Sequence, residues 1–286
     1  MIGHLLRERL TRNVLPRIPE TAAVMAAAEQ ITAFQKGGRD DGILTHIYFF
    51  HAVMSLPVIR PGDSVLDLAC GPANQLAHIA RLQPESRFIG IDAAPGMLEH
   101  ARAMLTAERI DNVALQTGDI TNLSALENGA IDCAICTMSL HHLPDTDALH
   151  KTMREIRRVL KPGGGIYLAD FGRLKRRATQ TYFANDRSEL QSPQFTDDFL
   201  NSMHAAFSLE EMQTATAELD VPIEHYRTAL APFMMIFRST PRRAIDAPLA
   251  ARVKRHYAAL TAGQRRDFDN MVRWFRLGGL DLPCPL

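Results

Sequence analysis

The sequence predicts an α/β fold, a Rossmann-like doubly wound sheet of seven strands that is parallel except for its last strand. Two observations support this prediction. From Ser64 onward, apolar runs of strand length alternate with longer segments of helical period. This alternation is typical of parallel strands joined by helices on both faces of a sheet. At the end of this region, two apolar runs follow each other closely and predict a closing antiparallel pair.

The strands are predicted in chain order from their apolar runs. They are "SVLDLA", "RFIGID", "NVALQT", "AIDCAICTM" and "GIYLADF", followed by the pair "DVPIEHY" and "PFMMIFRS". Helices are predicted to about Leu82, from Pro95, and from about Thr146 to Leu160. Asp145 is a suitable cap for the last of these helices, and Pro162 ends it.

Segments outside the predicted sheet are expected to be helical. Residues 1–60 are expected to form two or three helices that act as a lid, and residues 61–240 to form the ligand-binding domain. Within that domain, residues 173–208 interrupt the strand rhythm and are interpreted as an insertion that caps the substrate. Residues 241–286 are expected to form an arginine-rich helical extension.

The composition argues against several classes of protein. The 32 Lys plus Arg residues balance 32 Asp plus Glu residues, so no basic surface for nucleic acid is expected. No apolar run approaches the roughly 18 residues that span a bilayer. The first residues show no signal-peptide pattern, so a cytoplasmic location is expected. Leu5 to Ile18 is interpreted as an ordinary amphipathic helix rather than a membrane-surface helix or a transit peptide.

The cysteines do not predict a metal site. Cys133 and Cys136 form a C-x-x-C pattern, which occurs in redox pairs and in zinc sites. They lie in an apolar run of strand character, where side chains three residues apart point to opposite faces of a sheet. Zinc would need a second pair, which is absent. We therefore expect core thiols in a reducing compartment and no metal.

Residues at the strand ends are candidates for a binding site, because open parallel sheets bind ligands there. After the first strand the chain has a single glycine, Gly71, where a dinucleotide site would have three. Asp67, within that strand, suits a ligand with a cationic part better than a pyrophosphate. Asp92 ends the second strand, 21 residues after Gly71, where a carboxylate can accept both hydroxyls of a ribose.

The later strand ends add further polar groups. Asp119 offers a carboxylate acceptor for an exocyclic amine, and Ile120 offers a backbone N–H beside an apolar side chain. An adenine ring needs this set of groups. The fourth strand ends in a small polar residue, Thr137, two histidines follow it, and the fifth strand ends at Asp170.

In order and spacing, these motifs resemble the class I S-adenosylmethionine-dependent methyltransferases, and among them the ubiquinone and menaquinone biosynthesis group. The motifs are VLDLACG, FIGID, GDI, LHHLPD and LKPGGGIYLADF. The resemblance covers about Ser64 to Phe171 and extends more weakly to about Arg238. It implies S-adenosylmethionine as the cofactor, methyl transfer as the activity, and a seven-stranded sheet with a reversed final hairpin.

The resemblance also implies roles for individual residues. Asp67 would support the loop from Ala69 to Gly71, which would approach the methionine part of the cofactor. Asp92 would hold the ribose, and Met97 would lie against the adenine. Thr137 would face the methionine amino group or the sulfonium. The complete implied set is Tyr48, Asp67, Ala69, Cys70, Gly71, Asp92, Ala93, Met97, Asp119, Ile120 and Thr137.

The glycine loop departs from the family's D-x-G-x-G-x-G pattern, because Ala69 and Ala73 stand at two of the glycine positions. We expect the alanines to be tolerated at negative φ, since only a positive φ strictly favours glycine. Pro72 is expected to suit a first helical turn. Gly71 is therefore expected to be the indispensable position for binding.

Methyl transfer is an in-line displacement, so the protein mainly aligns the nucleophile, the methyl group and the sulfur. A general base is needed only for a nucleophile whose proton has a high pKa. His141 and His142 are the candidates for this base, with His141 slightly favoured because it is nearer the strand end. Asp170 is a further candidate. A purely structural role for the two histidines is an open alternative.

The methyl acceptor is expected to be a small, partly apolar metabolite, and the oligomeric state is left open. Tyr48 is expected either to offer its hydroxyl to the cofactor carboxylate or to belong to an aromatic core. One alternative function is cofactor binding without methyl transfer. Another is an NAD(P)-dependent oxidoreductase, against which the single glycine and Asp67 count.

Overall fold

The computed structural model describes residues 1–20, 42, 44–186 and 188–286. Its strands are β1 (Ser64–Leu68), β2 (Arg87–Asp92), β3 (Val113–Thr117), β4 (Ile131–Thr137), β5 (Leu160–Phe171), β6 (Ile223–Arg227) and β7 (Met234–Ser239). They form one sheet in the order β3-β2-β1-β4-β5-β7-β6. Strands β1 to β5 are parallel, and β7 is antiparallel to both β5 and β6. The predicted fold class is therefore confirmed.

Helices cover both faces of this sheet. They are α1 (Ile2–Leu10), α2 (Thr45–Ser55), α3 (Asn74–Leu82), α4 (Pro95–Ala107), α5 (Thr146–Val159), α6 (Arg177–Asn185), α7 (Pro193–Ala205), α8 (Leu209–Thr216), α9 (Ala247–Ala259) and α10 (Ala262–Arg276). Asp145 caps α5 as predicted, because its carboxylate accepts the Ala148 N–H at 2.8 Å. Within the described ranges, none of these helices has the length and hydropathy needed to cross a bilayer.

Each face of the sheet has its own apolar layer. Cys133 lies in one layer and Cys136 in the other, which confirms that the two thiols point to opposite faces. Both are fully buried, and burial raises the pKa of each thiol above its ordinary value. They are free core thiols.

The C-terminal helices belong to the first of these layers. The Phe268 ring of α10 lies 5.3 Å from the Phe49 ring of α2, and Phe275 stacks on Phe50 at 5.2 Å between ring centroids. All four rings are almost completely buried. Helix α10 therefore holds α2 against the sheet, and α2 in turn carries Tyr48 to the strand ends.

The N-terminal segment differs from the prediction. A helix was expected from Leu5 to Ile18, but α1 ends at Leu10 and the chain from residue 11 to residue 20 is not helical. Pro16 and Pro19 explain the difference, because proline and the residue before it disfavour helical backbone. Residues 21–41 and 43 of the predicted lid, which spans residues 1–60, lie outside the described residues, and α2 belongs to its last part.

The segment 173–208 contains α6 and α7, which pack on each other. Met203 of this segment belongs to a small apolar cluster with Phe171 and Leu5. No described residue of 173–208 lines the cavity at the strand ends that is presented below. The interpretation of this segment as a substrate cap therefore stays a prediction.

Candidate active site

The carboxyl ends of β1 to β4 open into one cavity of about 950 Å³. It lies beside β1 and β4, where the strand order reverses and open α/β sheets bind their ligands. Every residue that was predicted to bind the cofactor lines it. These residues are Tyr48, Asp67, Ala69, Cys70, Gly71, Asp92, Ala93, Met97, Asp119, Ile120 and Thr137. The fold thus brings the predicted set together, and the role of each residue in binding stays a prediction.

The loop from β1 to α3 turns through three left-handed residues: Ala69 at φ 54°, Gly71 at φ 55° and Ala73 at φ 61°. The negative φ at which alanine is readily tolerated is therefore not what the two alanines adopt. A left-handed alanine costs roughly 1–2 kcal/mol. The turn is held in part by a hydrogen bond from the Ala73 N–H to the Cys70 carbonyl at 3.0 Å. Pro72 precedes the helix instead of lying in its first turn, since α3 begins at Asn74.

Gly71 leaves space on the cavity side of this loop. A Cβ added there would meet no protein atom within 4 Å. Packing within the protein therefore does not require glycine at this position. The positive φ favours it, and a side chain would occupy volume that a ligand can use.

Asp92 ties the first two strand ends together. Its Oδ2 accepts the Gly71 N–H and its Oδ1 accepts the Ala94 N–H, each at 2.8 Å. Burial raises the pKa of Asp92 above its ordinary value, although these two N–H groups partly oppose the shift. The carboxylate is thus fixed at the end of β2, with lone pairs left for ligand hydroxyls.

Asp67 adds a second carboxylate to the same wall of the cavity. Only 5% of its surface is exposed, and burial together with the nearby charge of Asp92 raises its pKa well above the ordinary value. Two close carboxylates in a buried wall favour a cationic ligand, because a positive charge would offset their repulsion.

Asn74 and Gln75, in the first turn of α3, line the cavity but were not predicted. The Gln75 amide donates to the Thr137 hydroxyl at 2.7 Å. Gln75 Oε1 and Asn74 Nδ2 are buried and have no hydrogen-bond partner among the described residues. Polar residues directly after a glycine loop are a signal that could have identified them, because the first helical turn faces the ligand.

Tyr48 and the aromatic residues next to it in α2 have different surroundings. Its side chain lines the cavity, and burial raises the pKa of its hydroxyl. Phe49 and His51 are fully buried, with His51 Nδ1 2.7 Å from the Tyr167 hydroxyl. The neighbours of Tyr48 therefore belong to an aromatic core, whereas contact of the Tyr48 hydroxyl with the cofactor stays a prediction.

At the third strand end, Asp119 organises its own loop. Its carboxylate accepts the Thr121 N–H at 2.8 Å and the Thr121 hydroxyl at 2.9 Å. Ile120 follows with 8% of its surface exposed. This loop presents a carboxylate and an apolar side chain to the same cavity as Met97.

Of the three predicted catalytic residues, one lines the cavity and two are buried. His142 lines the cavity, whereas His141 and Asp170 are buried, with 2% and 3% of their surfaces exposed. Asp170 Oδ1 lies 2.6 Å from His141 Nδ1, and Asp170 Oδ2 accepts the His141 backbone N–H at 2.9 Å. Burial lowers the pKa of His141, but the Asp170 carboxylate and this hydrogen bond raise it to above its ordinary value.

The N-terminal segment covers the histidine pair, which was not predicted. Glu20 Oε2 lies 2.6 Å from His142 Nδ1, and Glu20 Oε1 accepts the Ser202 hydroxyl at 3.0 Å. Three residues earlier, the Arg17 guanidinium donates to the carbonyl oxygens of His141, Leu143, Pro144 and Ala205. These hydrogen bonds of Arg17 hold residues 17–20 against the loop that follows β4.

Comparisons with known proteins agree with this geometry. A family model described as a methyltransferase domain matches residues 65–164. The demethylmenaquinone methyltransferase of Symbiobacterium thermophilum is 29% identical over 160 residues, which are 55% of this chain and 57% of that enzyme. An uncharacterized 37.1 kDa protein in transposon TN4556 of Streptomyces fradiae is 41% identical over 112 residues, 39% of this chain and 31% of that protein. The chain thus spans less than two thirds of the length of these curated relatives.

A crystal structure of a SAM-dependent methyltransferase from Aquifex aeolicus has the same fold. Its TM-score is 0.56 at 15% identity, with 75% of this chain and 98% of that chain covered. By its fold and by the match over residues 65–164, the chain is thus similar to the class I S-adenosylmethionine-dependent methyltransferases. Within that class it resembles the quinone methyltransferases.

The cavity fits S-adenosylmethionine, the cofactor of this class. The unpartnered Asn74 Nδ2 and Gln75 Oε1 offer one donor and one acceptor to the methionine carboxylate and ammonium groups. Asp67 and Asp92 offer negative charge to a ligand that carries a sulfonium. Met97, buried beside Ala94, gives the cavity an apolar wall. The donor set and the charge both match the cofactor.

Proposed function

We propose that the chain transfers the methyl group of S-adenosylmethionine to a small, partly apolar metabolite by in-line displacement. The observation that carries the proposal is the single cavity at the strand-order reversal. It contains every residue of the cofactor set, and it continues past Thr137 to a histidine.

The part of the cavity beyond Thr137 supports the choice of acceptor. Its apolar lining includes Met138, Leu143 and Pro144, and its rim includes Lys151 and Arg154. Apolar walls with a few convergent polar groups are typical of small-molecule sites. A largely apolar acceptor with one polar or anionic group matches this lining.

Among the predicted catalytic residues, His142 is the one that we propose to contact the acceptor, since it lines the cavity. The buried pair of His141 and Asp170 then positions the loop after β4. With an acceptor of high pKa, an imidazole at His142 takes the proton as the methyl group is transferred.

The wider organisation is proposed on the same basis. Residues 1–60 act as a lid, residues 61–240 form the methyltransferase domain with a substrate cap at 173–208, and residues 241–286 form a helical extension. We also propose that the protein works in the cytoplasm and does not bind nucleic acid, in keeping with its balanced charge.

Calorimetric titration of the full chain with S-adenosylhomocysteine and, separately, with NADH tests the cofactor site. We expect binding of S-adenosylhomocysteine only, and a loss of affinity of about 100-fold or more in D92A and G71V. D111A, which removes an exposed carboxylate at the start of β3, is the control and should bind like the wild type. Unchanged affinity in both site variants would refute the site, and NADH binding would favour the oxidoreductase.

Methyl transfer itself is tested with a panel of hydroxyquinones, phenols, amines and thiols, with mass spectrometry to detect the methylated product. We expect product from the wild type and at least tenfold slower turnover in H142A at unchanged S-adenosylhomocysteine affinity. Cofactor binding without product from any acceptor of the panel would favour the alternative function, a binding protein without methyl transfer.

A further inference from the structure

We propose that Glu20, His141 and His142 bind a divalent transition-metal ion at the border of the cavity. One ligand atom from each of these residues lies within 4.8 Å of the other two. Two imidazoles and one carboxylate form a ligand set that zinc and iron(II) commonly use. The cysteine pattern predicted no metal, and the ligands proposed here are of a different kind.

The donor atoms need a local adjustment to hold an ion. Bonds of about 2.0–2.2 Å to nitrogen and oxygen place neighbouring donor atoms of a tetrahedral ion about 3.4 Å apart. Glu20 Oε2 and His142 Nδ1 are now 2.6 Å apart, and all three donor atoms lie within 4.8 Å of one another. Glu20 would therefore move back from His142 by about 1 Å, and the three donor atoms would settle at this spacing around the ion.

Asp170 gives His141 the arrangement that a metal ligand requires. Its carboxylate lies 2.6 Å from His141 Nδ1 and also accepts the backbone N–H of the same residue. A proton on Nδ1 leaves Nε2 with a free lone pair and fixes the plane of the ring. Metal-bound histidines usually have such a carboxylate behind them.

Glu20 is also held in place before any ion binds. The Ser202 hydroxyl donates to Glu20 Oε1, and Arg17 fastens the chain three residues earlier. The charge balance is suitable as well, because Glu20 and Asp170 offset a doubly charged ion despite the nearby Arg17 cation.

The position of the site suggests what the ion does. His142 lines the cavity, and three protein ligands leave at least one coordination position open. With the ion bound, His142 is a ligand instead of the base, and we expect the open position to take an oxygen of the acceptor and to lower the pKa of its hydroxyl. This role of the ion rests on the proposed function, whereas metal binding itself does not.

The test is titration of the chelator-treated full chain with Co²⁺ and with Zn²⁺, followed by calorimetry and by the visible absorption of Co²⁺. We expect one ion per chain with a Kd in the micromolar range or below. E20Q and H142A should weaken binding by 100-fold or more, and D170N by 10- to 100-fold through His141. H150A is the matched control. His150 and Glu218 form a pair of the same kind at 2.6 Å, but among the described residues no third ligand lies close to both.

The outcomes are distinct. Absence of stoichiometric binding in the wild type, or equal binding in E20Q, H142A and H150A, would overturn the metal site and leave a hydrogen-bonded Glu20–His142 pair. Circular dichroism and S-adenosylhomocysteine affinity, measured on the same samples, identify a variant that fails to fold. If E20Q and H142A both failed to fold, a 10- to 100-fold weaker Co²⁺ affinity in D170N alone would support the site, and an unchanged affinity would overturn it. Metal binding without S-adenosylhomocysteine binding would support the site and refute the proposed function.

Discussion

The two halves of the cavity rim are built differently. The half formed by β1, β2 and β3 uses residues at or directly after the strand ends. Its contacts are close in sequence, since the Gly71 N–H donates to Asp92, 21 residues further on. The half formed by β4 and the loop after it depends on the N-terminal segment, in which Glu20 lies 122 positions from its partner His142. The first half follows from strand order, whereas the second requires docking of a distant segment. We therefore expect changes in the two halves to have separable effects.

The largest separable effect is expected from R17A. Arg17 donates to backbone carbonyls of the loop after β4 and of α7, and its guanidinium lies 4.1 Å from the centroid of the Phe207 ring. Removing it leaves partly buried carbonyls without a donor, so we expect the free energy of unfolding to fall by about 2 kcal/mol. Chemical denaturation measures this change.

R12A is the matched control, because Arg12 is an exposed arginine of the same segment, and we expect a change within about 0.5 kcal/mol. Calorimetry should show the same S-adenosylhomocysteine affinity in R17A and the wild type. A fall in that affinity would contradict the separation of the two halves.

A smaller effect, of opposite sign, is expected from D67N in the cofactor half. Burial and the charge of Asp92 raise the pKa of Asp67 well above its ordinary 3.8, so the folded state holds this proton more tightly than the unfolded state does. Ionised Asp67 therefore destabilises the folded protein as pH rises above about 4. We expect D67N to raise Tm at pH 7 by roughly 2–4 °C, to lose this advantage near pH 3–4, and to bind S-adenosylhomocysteine more weakly.

Thermal denaturation as a function of pH measures this prediction, with D111N as the control at an exposed carboxylate. A lower Tm for D67N at pH 7 would mean that groups of the protein already stabilise the ionised Asp67 carboxylate. Asp67 would then need no cationic ligand to offset its charge.

The same contrast explains what could be predicted from the sequence. The sheet and the first three strand ends were predictable, because apolar periodicity fixes the strands and strand order brings Asp67 and Asp92 to one edge. Glu20 was missed because nothing in "RIPE" indicates which surface that segment covers. Its position depends on contacts with α7 and with the loop after β4, and no local pattern encodes such contacts.

The backbone conformation of the glycine loop could not be predicted from the sequence either. The substitution A69G tests this conformation and has the smallest expected effect. Alanine is strained at φ 54°, by roughly 1–2 kcal/mol. Glycine removes that strain, but it raises the entropy of the unfolded chain, which lowers the free energy of unfolding by about 0.4–1 kcal/mol. It also removes the contacts of a half-buried methyl group. We therefore expect A69G to stabilise the protein by only about 0.5 kcal/mol, measured by chemical denaturation.

The control A103G places the same change at an exposed position of α4, where helical φ is negative and we expect a loss of about 1 kcal/mol. Opposite signs for the two substitutions would establish that Ala69 is held in the left-handed region in solution. Equal losses would instead support the negative φ that the sequence suggested, and the cofactor loop would then have to turn in another way.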